Sequence, residues 1–347
     1  MRLNKLLNNR SLVWLATLLV TVFVQVETTA LAQDEILLKN GSRILGQVTG
    51  ARDGVVSIDT DFAGTIKVEL EQIKSVNTQD PVVILMTDDS VQQDSTLLIA
   101  DEQLVLSESG QSFPLGDLAV INPDPWELGE GYRWTGGIGF ALIRQRGNTD
   151  TDEVDYQLDS KWRSKRDRYT VGANGETDEA NGTKTADNWR VSAKYDYFLE
   201  EPNYGGVLAQ AEKDKFQDLD LRYLLGPYFG RQFYDEPVFS LQSELGFSYV
   251  TEEYNIAEDD EYGASNWNIH VSSDYLGGDS SLYFDQFGLW NLKDTADVIV
   301  NSTFGLSYPL LWNIEAAVEL LLEYDSGAVA DVDSLDQTYK FRIGYTW

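Results

Sequence analysis

His270-Val271-Ser272, with Asp274 following, is the arrangement in this chain closest to catalytic chemistry. A histidine and a serine two apart on a strand share one face, within reach of a general-base hydrogen bond that would activate the serine hydroxyl. Trp267, Ile269, Val271 and Tyr275 take the opposite alternation, so His270 and Ser272 fall on the polar side of an amphipathic strand. The pattern therefore favours a polar lining histidine over a catalytic one. A second cluster, Glu258, Asp259, Asp260 and Glu261, has the ligand chemistry for Ca²⁺ or Mg²⁺ and so for bridging to lipopolysaccharide phosphates. It lacks the spacing and central glycine of a dedicated calcium loop and reads as a solvated acidic loop. With one histidine and no cysteine, thiolate and multi-histidine metal sites, disulfides and a lipidated cysteine are excluded. No catalytic residue, metal or cofactor is expected.

The elements that carry these residues belong to a chain of 347 residues with 26 Lys+Arg against 57 Asp+Glu, a formal net charge of -31. Nucleic acid is not an expected partner, because phosphate binding needs a basic footprint. Arg2, Lys5 and Arg10, an uncharged apolar stretch from Ser11 to Val26, and Ala30-Leu31-Ala32 before Gln33 read as a cleaved export signal over residues 1–32. No later segment is a continuous apolar run of spanning length, so an exported chain meets a membrane as strands or not at all.

From Trp134 onward, segments of ten to fourteen residues alternate in polarity. Strands are expected to start near Trp134, Glu153, Arg168, Asp187, Tyr204, Asp218, Val238, Ser265, Ser281, Asp297, Trp312 and Gln337, an even number. The breaks KRD, EEPN, YDEP, GGDS and PLL are tight; RGNTDT, DEANGTK, KDKFQD, NIAEDDEYG, NLKDTA and SGAVADVDS are longer and polar. Short turns on one side and longer loops on the other are the rhythm of an outer-membrane barrel. Within strands, Phe239, Leu241, Leu245, Phe247 and Tyr249 oppose Ser240, Gln242, Glu244 and Ser248, and the last ten residues, TYKFRIGYTW, alternate in the same way. The aromatic face suits lipid and the charged face a barrel interior. Trp162, Tyr169, Trp189, Tyr197, Trp267, Tyr275, Trp312, Tyr324 and Trp347 are the expected interfacial girdle, at strand ends.

Residues 33–125 consist of short β-type runs with hairpin signals at Asn40-Gly41 and Asp53-Gly54. GTIKVELEQIKSVNT and GQSFPLGDLAVINP form a faint repeat, which reads either as two SH3-like or Sm-like modules or as one irregular β domain.

RGNTDTDEVDYQLDSKW, NWRVSAKYDYFLEE and LAQAEKDKFQDLDLRYLLGPYFGRQF resemble the YdiY-like family of salt-induced outer-membrane proteins, a domain of unknown function, over most of Gly136 to Trp347. Gly147 to Asp150 and Asp214 to Gln217 are the most specific parts. The resemblance implies a signal peptide, a barrel and an N-terminal β module, but no activity. Pro227, inside a strand, must sit at a bulge or a tolerant position. Outer-membrane phospholipases are similar in carrying His-x-Ser on a twelve-stranded barrel; their pair faces lipid, and Ser273-Asp274 stand here in place of their Asn-Gly. The closing aromatic resembles the signal read by the barrel-insertion machinery.

The expected fold is all-β: a transmembrane antiparallel up-and-down β-barrel of about twelve strands (126–347), preceded by a small periplasmic β domain (33–125). Its expected partners are outer-membrane lipid and lipopolysaccharide, the insertion machinery, and a protein or peptidoglycan partner of the periplasmic domain. Alternation places Glu315, Glu319 and Glu323 in the lumen beside Lys340 and Arg342, with Asp155, Asp159, Lys161, Arg163, Glu244 and His270 elsewhere on its wall. Opposite charges on neighbouring strands would pair across a narrow or closed interior. That pairing serves stability alone or lines a narrow cation-preferring channel in an envelope or osmotic role. A general porin and a lipid-modifying enzyme using His270 and Ser272 are the alternatives.

Overall fold

The computed structural model describes residues 33–52, 54–79, 81–94, 97–100, 103–106, 109–145, 151–200, 202–236, 238–277, 280–327 and 334–347. The expected export signal, Asp53 of the second hairpin signal, and the 147–150 part of the family motif lie outside them. The chain divides after Pro123 into two units.

The first unit holds β1 (Asp34–Leu38), β2 (Arg43–Arg52), β3 (Val55–Thr60), β4 (Gly64–Glu69), β5 (Ile73–Asn77), β6 (Val82–Met86), β7 (Val91–Asp94), β8 (Leu97–Ala100), β9 (Gln103–Leu106), β10 (Ser112–Pro114) and β11 (Leu118–Ile121). The two copies of the sequence repeat take the same form. A glycine at φ +67° (Gly64 or Gly110) leads into a strand, one 3-10 turn (Leu70–Gln72 or Leu115–Asp117), and a last strand. Those last strands return to the openings of their halves, β5 to β1 and β11 to β6. The pairs β2–β11 and β5–β8 join the halves into one sheet system. Alternate residues of these strands, among them Ile36, Val56, Ile58, Val76, Ile84, Leu104 and Ile121, form its buried core. Asp34 is buried with them, its carboxylate accepting the Val48 and Gln79 N–H groups, each at 2.7 Å.

The second unit is a closed antiparallel barrel of twelve strands in sequence order. They are β12 (Arg133–Gln145), β13 (Thr151–Arg163), β14 (Asp167–Ala180), β15 (Thr183–Glu200), β16 (Asn203–Asp214), β17 (Leu219–Glu236), β18 (Phe239–Tyr254), β19 (Asp260–Ser273), β20 (Ser281–Asn291), β21 (Val298–Pro309), β22 (Ile314–Asp325) and β23 (Leu335–Thr346). Each expected strand is present. Two connections differ from the expected rhythm. DEANGTK is no loop: β14 and β15 run on to a two-residue turn, where Asn181 and Gly182 have φ +51° and +78° as a type I′ hairpin requires. GGDS belongs to a longer connection, 274–280. Pro227 lies inside β17 opposite Val207, with no bulge; the ladder to β18 lapses at Gly226 and Pro227 and resumes in unchanged register. The proline's missing N–H is confined to that lapse.

Candidate functional site

Between the bulges in the β14–β15, β15–β16, β16–β17 and β17–β18 ladders, antiparallel pairing carries one alternation from strand to strand, so a single inward residue fixes its neighbours. Asp155, Asp159 and Lys161 on β13, His270 on β19, Glu319 and Glu323 on β22, and Lys340 and Arg342 on β23 all border the interior cavity. Arg163 and Glu315 share the inward alternation of their strands, Arg163 lying 3.4 Å over the Phe198 ring. Glu244 points inward from β18 to accept from Lys194 and Tyr204.

The aromatics take the outward alternation but not one height. Trp134 stacks on Trp162 and meets Trp347; Tyr169 packs on Tyr132 and Tyr195; Tyr197 is exposed on β15. Trp189 lies well inside β15, because that strand begins four residues before the expected Asp187. Trp267 sits mid-strand, not at an end, because β19 starts at Asp260 and not near Ser265. It lies over Gly288, and its Nε1 donates to Gln286. Tyr275 and Trp312 project from turns, and Tyr324 closes the outward face of β22.

The interior is unevenly filled. On the side of β16 to β21, Tyr204, Leu208, Leu224, Tyr228, Val250, Tyr262, Ala264, Leu289 and Ile299 form an apolar core inside the barrel. Buried ion pairs run through it. Arg222 donates to Glu212 at 2.6 Å and to Glu252 at 2.5 Å; Glu212 also accepts from Arg190, and Glu252 from Tyr254 and Tyr262. Arg168 donates to Asp196 at 2.6 Å and Tyr228 to the same carboxylate, while Lys194 donates to Glu244. A polar lumen was the expectation from alternation, and this apolar filling departs from it. Its signal was the loss of alternation in Leu224-Leu225-Gly226-Pro227-Tyr228-Phe229, apolar on both faces as a doubly buried strand is.

Opposite this core, β12 to β15 and β20 to β23, with His270 of β19, line a cavity of about 610 Å³. Its charged lining is Asp155, Asp159, Glu176, Asp285, Glu319 and Glu323 against Lys161, Arg190, Lys340 and Arg342. The expected neighbour pairing holds for Arg342, 2.8 Å from Glu319, which also accepts from Tyr283. Lys340 instead reaches past β12 to Glu176 (2.6 Å) and Asp155 (3.3 Å). Gly139 of β12, against which the Arg342 side chain lies, leaves room for such crossings. Glu323 faces Arg190 at 3.9 Å.

His270 Nδ1 lies 2.6 Å from Asp285 Oδ1, so the imidazole's hydrogen bond goes across to β20 and not along its own strand to Ser272. The carboxylates of Asp155, Glu176 and Asp178 lie close enough for a cation, but the Lys340 ammonium already bonds two of them. In the acidic loop, Asp259 accepts the Tyr254 N–H, Asp260 accepts from Lys293, and Glu261 from Tyr249.

The model of a family described as a protein of unknown function, DUF481, matches residues 138–347. An uncharacterized protein, YdiY of Escherichia coli (strain K12), is 22% identical over 188 residues, 52% of this chain and 74% of that protein. Among solved structures, the NanC porin gives a TM-score of 0.39 at 12% identity, covering 62% of this chain and 98% of its own. The outer-membrane channel DcaP of Acinetobacter baumannii gives 0.32 at 10% identity, with 91% and 94% covered.

Proposed function

The chain belongs to the DUF481 family, and from that premise and the geometry of its barrel we propose an outer-membrane protein with a narrow, off-centre, cation-preferring passage. The N-terminal β domain lies in the periplasm, and the protein serves envelope integrity or osmotic adaptation without catalysing a reaction. The observation that carries this reading is the half-filled interior: one side packed with apolar side chains and ion pairs, the other a charged cavity. An outward face of Phe140, Leu245, Phe247, Tyr249, Phe304 and Val318, exposed on the barrel wall, supports a lipid setting. The six carboxylates and four cations of the cavity favour cations, and the packed half disfavours a wide general porin. The enzyme alternative is the weaker reading, because His270 and Ser272 share the inward alternation, away from a lipid ester.

The test is single-channel conductance of the full mature protein in a planar bilayer under a KCl gradient. Small, steady openings with a cation-selective reversal potential are expected. A correctly folded but silent barrel, or an anion-selective one, would discard the channel.

A further inference from the structure

At the end of the barrel where β13 turns tightly into β14, the inner wall of β12 to β15 carries two levels of inward side chains in unbroken register. Arg133, Arg163, Arg168 and Asp196 stand side by side on the four strands; Thr135, Lys161, Thr170 and Lys194 stand in the same order two residues further in. Neighbouring strands lie about 4.8 Å apart, so the backbones of three arginines fall within about 10 Å. Like charges directly opposite on a sheet are destabilising. Five cations nevertheless gather on this one wall, in a chain of net charge -31.

Two of the five are held by carboxylates: Arg168 donates to Asp196, and Lys194 to Glu244 of β18. Arg163 lies over the Phe198 ring, which Arg168 approaches at 5.5 Å. Among the described residues, Arg133 and Lys161 are in no ion pair, and the Thr135 and Thr170 hydroxyls make no hydrogen bond. Thr135, Lys161 and Thr170 border the cavity of about 610 Å³, so one ammonium and two hydroxyls face a single space. One level further in stands Asp159, whose carboxylate accepts from Gln157 and bounds the positive region.

We propose that these two levels form a binding site for the phosphate group of a soluble anion that enters the barrel from its periplasmic end. A phosphate dianion has the charge and the acceptor oxygens that this wall is missing. Arg133 and Lys161 supply its counter-charge, Arg163 stands beside them, and the two threonine hydroxyls donate to its remaining oxygens. A guanidinium fork matches the oxygens of a phosphate in pairs, which a halide does not offer. Asp159 repels an anion that moves deeper, so the ligand stops at the mouth. The side chains face the lumen and not the lipid, which favours a solute over a phospholipid head group. Occupancy also cancels the positive charge that opposes cations at this end of the passage. The site depends on the orientation of the barrel proposed above, and not on conduction.

The test is inorganic phosphate, titrated into the full mature protein in a phosphate-free non-ionic detergent at constant ionic strength and read by calorimetry. Saturable binding is expected with phosphate and none with chloride. Lys161→Met and Arg133→Gln should each weaken it about tenfold or more, as loss of a charged hydrogen-bonding group does. Each removes a like charge from the wall, so the unfolding midpoint should hold or rise. Lys161→Arg should keep most of the affinity, and Lys293→Met, in the connection after β20, all of it. No saturable binding by the folded wild-type protein, or undiminished affinity in Lys161→Met, would overturn the site; displacement of the phosphate by phosphatidylglycerol in mixed micelles would overturn the solute in favour of a lipid head group. The chain has no cysteine, so Arg133→Cys reports orientation without background. In intact cells it should resist an impermeant maleimide and react once the outer membrane is opened. Reaction in intact cells would overturn the periplasmic entry, and with it the orientation, whatever the calorimetry gives.

Discussion

Lys340 on the last strand of the barrel donates to Glu176 on the third, 2.6 Å away across 164 residues of sequence. The bond passes over β12, whose inward positions there are Gly139 and Ala141, and it ties β23 to β14 across that strand. One ammonium therefore both spans the closing strands of the wall and supplies a positive charge to the cavity.

Lys340→Gln removes that charge and leaves Asp155 and Glu176 facing the cavity water. Potassium over chloride permeability should rise roughly threefold, measured as a reversal-potential shift in a salt gradient. No change in selectivity would mean that ions do not pass this group.

Arg222 holds two buried carboxylates, Glu212 and Glu252. Arg222→Met strands both, and a broken buried pair typically destabilises by about 3–5 kcal/mol. A lowered urea midpoint of the barrel is the expected result, and the triple change Arg222→Met, Glu212→Gln, Glu252→Gln should recover part of it.

Leu224 is 2% exposed inside the barrel. Leu224→Ala opens space in the packed half and should cost about 2–5 kcal/mol. If the packed half narrows the passage, the same variant raises conductance; Leu225→Ala, on the outward face, should not.

Gly305 lies under the Tyr283 ring, which a Cβ at that position would strike. Gly305→Ala forces the tyrosine off its bond to Glu319 or shifts the strand, an overpacking expected to destabilise by about 1–3 kcal/mol. Paired with Tyr283→Leu the penalty should shrink, as a double-mutant cycle on unfolding would register.

In the N-terminal unit, Asp34→Ala leaves the buried Val48 N–H without its acceptor, while the exposed Gln79 turns to water. A loss of about 1–3 kcal/mol follows from the buried group. Thermal unfolding of that unit should move down while the barrel transition stays in place.

Much of this architecture was written in the order of residues. Period-two alternation makes an amphipathic strand wherever it runs, and its repetition from Trp134 to the last residue set the twelve strands of the barrel and their faces; the runs opening at Gly64 and Gly110 were legible only as a faint repeat, and their shared strand, 3-10 turn and strand came with the structure. The inward alternation of Glu319, Lys340 and His270 was legible for the same reason. What alternation could not assign was partnership. It says which face a side chain takes but not which side chain stands opposite once the sheet closes, because closure depends on the stagger summed over twelve ladders. Lys340 therefore pairs with Glu176 and not with a glutamate of the adjacent strand, and His270 pairs with Asp285. The inward apolar residues Leu224 and Val250 gather on one side because the six neighbouring strands β16 to β21 bring theirs together there once the wall closes, and the four-pair β12–β23 ladder is what closes it. Sequence determined the strands and their faces; the tertiary structure alone decided what fills the interior and which charges meet across it.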